Sequence, residues 1–126
     1  MTFTVLVFGH RLPGVSPAQF KERYDEHMSL IQKITGAYFP LSHTRRYIQR
    51  ADGYNAKVIV GSQEDFDFDV IAEMVFENEG IFKAFYEIVS KEDNAKIVDE
   101  DEKKFFDRKR VRVVVLGETE VTERRV

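Results

Sequence analysis

Residues 16–36 read SPAQFKERYDEHMSLIQKITG, and they hold the start, the buried face and the stop of one helix. Ser16 is the N-cap, Pro17 suits the first helical position, and Gln19 completes a capping box with Ser16. Val15 and Phe20 have the spacing of a hydrophobic staple around that cap. Gly36, just past the apolar residues, is a C-terminal stop. Between these signals Phe20, Tyr24, His27, Ile31 and Ile34 are spaced by four, three, four and three residues. At about 3.6 residues per turn they share one narrow face. His27 is therefore a titratable ring in the middle of a core-facing stripe. Such a ring is either a hydrogen-bonded structural histidine or it faces a cavity. Imidazole is also the side chain best suited to move protons near neutral pH.

Working outward, Phe3–His10 reads as a strand with Phe3, Val5 and Val7 on one face and Thr4, Leu6 and Phe8 on the other. Both faces are largely apolar, so both are expected to be covered. Leu12-Pro13-Gly14 breaks it. After Pro40 a second strand is expected over Leu41–Arg50, with Leu41, His43, Arg45 and Tyr47 on one face and Ser42, Thr44, Arg46 and Ile48 on the other. Ala51–Asp65 has no clear period and reads as a long connection, a lid or an interface element. A third strand is expected over Asp67–Glu77, apolar at Phe68, Val70, Ala72, Met74 and Phe76, with Ile71 and Val75 on the reverse face. Two helices follow. Glu79–Val89 turns Phe82, Phe85, Tyr86 and Val89 to one side, and Ala95–Asp107 is acidic early and basic late, as the helix dipole favours. The acidic run Asp99–Glu102 reads as a solvated face. Val111–Leu116 is the last strand, before a polar tail.

The order β-α-β-β-α-α-β specifies a ferredoxin-like α+β fold in one domain over residues 1–126. Helices cover only one face of such a sheet, yet strands one, three and four are apolar on both. A second copy pressing its own sheet on the open face is the simplest cover, so a homodimer is expected.

Composition narrows the function. The net charge of −3 gives no electrostatic basis for nucleic-acid binding. No stretch approaches the ~20 apolar residues of a membrane span, and Met1–Gly9 lacks the basic leader and cleavage site of a signal peptide. A soluble, cytoplasmic protein is the plain reading. Cysteine is absent, which removes disulfides, thiol chemistry and thiolate metal sites. His10, His27 and His43 have no metal-ligand spacing, and there is no Gly-rich phosphate loop or nucleophile elbow, so no metal or cofactor is expected. Eleven Phe and five Tyr give a ring-rich interior, either plain core or the wall of an aromatic pocket.

Four stretches together resemble a known family: His10-Arg11-Leu12-Pro13-Gly14-Val15-Ser16-Pro17 through Phe20; Tyr24-Asp25-Glu26-His27-Met28; Phe39-Pro40-Leu41 with Arg46-Tyr47; and Asp101-Glu102 with Phe105-Phe106-Asp107. In this order they resemble the EthD-type members of the dimeric α/β-barrel superfamily. The run Phe39–Tyr47 is similar to the small fungal members that decarboxylate or dehydrate anthrone- and anthraquinone-type polyketides. The resemblance implies a cofactor-free lyase on a polycyclic phenolic substrate in secondary metabolism. Related barrels include polyketide cyclases and monooxygenases that need no cofactor, and a non-catalytic ligand-binding barrel is the remaining alternative.

The resemblance also implies a pocket between the helices and the sheet. If the His27 stripe meets the second-strand face, then His27, His43, Arg45 and Tyr47 share it. Loss of CO2 or water needs a donor for a developing oxyanion and an acid or base for a proton on carbon. His27 is the candidate for proton transfer, with His43 or Tyr47 steadying the carbonyl oxygen and Arg45 holding a carboxylate or oxyanion. His10, Phe20 and Tyr24 complete the candidate substrate-binding set. Each has a structural alternative: His43 as a surface residue, His10 as an exposed strand end, Tyr47 and the rings as core.

Overall fold

A computed structural model describes residues 1–126. The elements run β1 (Phe3–Gly9), α1 (Pro17–Thr35), β2 (Ser42–Tyr47), β3 (Val70–Phe76), α2 (Glu79–Ser90), α3 (Glu92–Glu102) and β4 (Arg112–Leu116), with short 3-10 turns at Gly36–Tyr38 and Gln63–Phe66. The strands form one antiparallel sheet in the order β2-β3-β1-β4. This is the ferredoxin-like α+β arrangement.

Local chemistry sets the ends of α1. The Ser16 hydroxyl accepts from the Gln19 backbone N–H at 3.1 Å, and the Gln19 side chain accepts from the Ser16 N–H at 3.0 Å. Val15 packs on the cluster that contains Phe20, as a staple should. Phe20, Tyr24, His27 and Ile31 are buried; the last buried position is Thr35 rather than Ile34. Thr35 reconciles a hydroxyl with burial by donating to the Ile31 carbonyl at 2.9 Å.

The helices cover one face of the sheet. Phe20 and Tyr24 cluster with Val70, Phe105 and Phe106, while Ile31, Phe85 and Val98 cluster with Phe76. Gly9 is required where this packing is tightest. A Cβ there would lie 2.8 Å from Val70 Cγ1 and 3.0 Å from Phe106 Cε2. The other face carries Leu6, Phe8, Ile71, Val75, Val114 and Leu116, as the strand register dictates, and no helix packs on it.

Four boundaries, the end of β2, the start of β3 and both ends of α3, differ from the sequence expectation by three residues or more. β2 ends at Tyr47, because Arg50 leaves the ladder to donate its guanidinium to Asp69. β3 begins at Val70, because the buried Asp69 carboxylate turns to Arg50, to the Arg11 guanidinium and to the Arg11 N–H at 2.8 Å. α3 runs Glu92–Glu102 rather than Ala95–Asp107. It stops early because Phe105 and Phe106 enter the core, and this segment pairs with the stretch after β1: Leu12 N–H donates to the Phe105 carbonyl and Asp107 N–H to the His10 carbonyl. On α2, Tyr86 is 62% exposed and does not join Phe85 in the core. Residues 51–69 form turns and one 3-10 turn, held at one point by Gln63, whose amide bonds both backbone groups of Ala56.

Candidate active site

His27 comes from the middle of α1 and is 3% exposed. Its Nδ1 lies 2.7 Å from Asp101 Oδ2 and its Nε2 3.6 Å from Glu102 Oε2, both on the last turn of α3. The edge of Phe105 packs on the ring, with centroids 5.4 Å apart. Burial opposes a charge on this ring, yet the Glu102 and Asp101 carboxylates outweigh it and hold its pKa above the ordinary value. His27 is thus an imidazolium-favouring group clamped between two acids.

It faces a cavity of about 340 Å³ between the helices and the sheet, walled by Met28, Ile31, Met74, Phe85, Val98 and Phe106. That volume falls at the lower end of the roughly 300–1,000 Å³ of small-molecule sites. The polar groups facing it are Tyr24, His27, His43, Glu102 and Arg108. Burial raises the Tyr24 pKa, so its phenol stays protonated.

His43 is the opposite of His27. Burial first, and the Arg45 cation second, push its pKa down to about 4, so the ring is neutral at physiological pH. Its Nδ1 sits 3.1 Å from Arg45 Nη1. A guanidinium can only donate, so Nδ1 accepts and the ring proton resides on Nε2. His43 is therefore a neutral N–H donor. Arg45 Nε donates in turn to Asp25 Oδ1 at 3.0 Å, and the Tyr47 hydroxyl donates to the same oxygen at 3.1 Å. The β2 register puts His43, Arg45 and Tyr47 on the helix-covered face, opposite Met74, Ala72 and Val70, and sends Arg46 to the other face beside Glu73.

The six other candidate residues do not all meet His27. His43 and Tyr24 share its cavity. Arg45 and Tyr47 share the sheet face but do not line the cavity; they brace His43 through Asp25. Tyr47 borders a separate recess with Lys21 and Arg50. Phe20 is wholly buried in the core. His10, also buried, lines a recess with Phe8, Phe68 and Arg110, its Nε2 3.5 Å from Asp67 and its Nδ1 unpartnered. Sequence reasoning missed three groups. Asp101 and Glu102 fall in the run read as solvated, yet they turn inward to His27 while Glu100 stays exposed. Arg108 was hidden because its place depends on where α3 stops. A signal did exist for the acids: Asp101-Glu102 stands three residues before the Phe105-Phe106 pair that must be buried.

The EthD domain family matches residues 12–109. The chain belongs to the EthD domain family. No curated protein matches it by sequence. Solved structures share the fold at low identity. A protein of Arabidopsis thaliana superposes with a TM-score of 0.60 at 16% identity, covering 96% of this chain and 99% of that one. An EthD family protein of Bacillus halodurans gives 0.53 at 17%, covering 93% and 99%. SnoaB, a cofactor-independent oxygenase from Streptomyces nogalater, gives 0.51 at 10%, covering 95% and 93%. The EthD match spans His27, its two carboxylates and Arg108, so the whole cavity lies within the family domain apart from Val7 and Val111.

Proposed function

We propose that this EthD protein is a cofactor-free lyase that removes CO2, or in a variant of the same chemistry water, from an aromatic polyketide of the anthrone or anthraquinone type. The observation that carries the reading is His27: a proton donor clamped by two carboxylates at the wall of an apolar cavity. In decarboxylation of a β-keto acid tautomer, the bond from ring carbon to carboxylate breaks. Its electron pair passes into the neighbouring carbonyl to give an enolate, and CO2 leaves. The His43 Nε2–H and the Tyr24 hydroxyl are the neutral donors available to the enolate oxygen. His27 then supplies a proton to the carbon, and its imidazolium is restored from solvent, with Asp101 holding the Nδ1–H throughout. Dehydration uses the same groups, with a base for the proton α to the carbonyl and an acid for the leaving hydroxyl.

The fold shared with SnoaB supports a second reading, a cofactor-independent oxygenation in the same cavity. Mass spectrometry of products from an anthrone carboxylic acid separates the two. Loss of CO2 or of water supports the lyase; gain of oxygen replaces it with the oxygenase; a bound, unchanged ligand leaves a binding protein.

The outer sheet face supports a homodimer. Leu6, Phe8, Ile71, Val75, Val114 and Leu116 form an apolar surface that no helix covers; only Phe68, edge-on to Phe8 at 5.2 Å, packs against its end. No helix is long and apolar enough to cross a membrane, so a membrane-spanning helix is not what covers it.

A further inference from the structure

The cavity has a polarity along its wall that the sequence could not assign. Its inward polar groups, the buried Tyr24 and His27 and the half-buried His43, each hold a proton. Its one permanently charged cation is Arg108, half exposed at 50%, which places the guanidinium at the rim. Arg45, the cation expected to hold a substrate anion, does not line the cavity and is committed to Asp25 and His43. Arg108 Nη1 lies 3.0 Å from Asp99 Oδ1 and its Nε 3.4 Å from Glu102 Oε1. Glu102 also faces His27 Nε2 at 3.6 Å, so one carboxylate joins the rim cation to the interior ring. Asp99 and Asp101 do not line the cavity. The charges that do face it are therefore two cations, His27 when protonated and Arg108, against the single carboxylate of Glu102. A guanidinium has five N–H donors in a planar fork, more than these two carboxylate contacts use.

We infer that Arg108 is the substrate-anion receptor of the cavity, and that the ligand it selects is a flat aromatic acid, ring plane between the apolar walls and carboxylate at the rim. This rests on the proposed lyase cavity and deepens it. It has a consequence for turnover. Once CO2 has left, the product lacks the group Arg108 holds, so the neutral product is bound less tightly than the acid. Binding of the acid also brings a competitor for the Arg108–Glu102 contact, which leaves Glu102 more fully to His27 at the moment a proton is needed.

The test uses two fluorescent probes of one ring system, 3-hydroxy-2-naphthoate and the neutral 2-naphthol, titrated into the full-length protein and into Arg108→Met, Arg108→Lys and Arg45→Met variants. Arg108→Met is expected to weaken naphthoate by about tenfold or more, the scale of a lost charge-assisted bidentate contact, and to leave 2-naphthol within about twofold. Arg108→Lys, which keeps charge without the fork, should recover part of the loss. Far-UV circular dichroism on each variant checks that it is folded. If Arg108→Met and wild type bind naphthoate equally, or if Arg45→Met alone loses the preference, Arg108 is not the receptor. If wild type binds neither probe, the aromatic cavity itself is wrong, and the inference falls with it.

Discussion

At the residue scale, two histidines of one cavity are tuned in opposite directions, and this is measurable. His27 is held above the ordinary 6.5 because its two carboxylates overcome its burial, so it adds stability at low pH that is lost as pH rises through its raised pKa. His43 is pushed down to about 4 by burial and Arg45. As pH falls from 6.5 to about 4 the unfolded chain takes up a proton there that the folded chain refuses, so stability is lost across that window. A His43→Gln variant should show a flatter melting temperature between these pH values than wild type; an unchanged slope would contradict the burial of a neutral ring. Asp101→Asn removes one of the charges that raise His27. In the proposed mechanism activity needs protonated His27, so that of the variant should fall off at lower pH than wild type on the alkaline side. Arg45 and Arg46 are adjacent but face opposite ways. Arg45→Met frees His43 from its Nδ1 donor and should lower activity, while Arg46→Met, beside Glu73 on the outer face, should not; the reverse result would mean the β2 register is shifted.

At the element scale, the parts that were legible are those with local causes. The capping box, Pro17 and Gly36 write the ends of α1 into neighbouring residues, and the stripe from Phe20 to Ile31 names its buried face. The parity of β2 likewise separates Arg45 from Arg46. The misplaced ends have distant causes. α3 stops at Glu102 because Phe105 and Phe106 pair and pack with residues 9–12, nearly a hundred positions away, and no periodicity within α3 announces that. Once that end was misplaced, the inward turn of Asp101 and Glu102 and the rim position of Arg108 could not be read either. The start of β3 is hidden for the same reason, since Asp69 is fixed by Arg11 and Arg50 from two other segments. The tight crossing gives a direct check. Gly9→Ala forces a methyl against Val70 and Phe106 and should cost about 1–3 kcal/mol of stability, the usual scale of overpacking, read as a lower midpoint in urea. A neutral Gly9→Ala would mean β1 and the Phe105-Phe106 segment are less closely packed than described.

At the scale of the whole molecule, the two faces of the sheet divide the work. One is closed by helices and holds the cavity; the other is apolar and open. The open face predicts a dimer at micromolar concentration by light scattering, and a Leu6→Asp substitution at the middle of β1 on that face, between Glu73 and Val114, should shift it toward monomer. A wild-type monomer under these conditions would leave that surface unexplained. The proposed catalysis belongs to this scale too, because the groups it would use come from three elements: His27 from α1, its carboxylates from α3, His43 from β2. The measurement that bears on it most directly is single-turnover decarboxylation of an anthrone carboxylic acid by His27→Ala, read with thermal unfolding on the same preparation. Truncation leaves Asp101 Oδ2 without its partner, Lys104 remaining on Oδ1, so some loss of stability, roughly 1–3 kcal/mol, is expected whether or not His27 is catalytic. What separates the accounts is the rate per folded molecule, which should fall by about 10²-fold or more if His27 delivers the proton. A His27→Ala protein that melts earlier but turns over at the wild-type rate would show a structural histidine, and the proposed mechanism would be wrong.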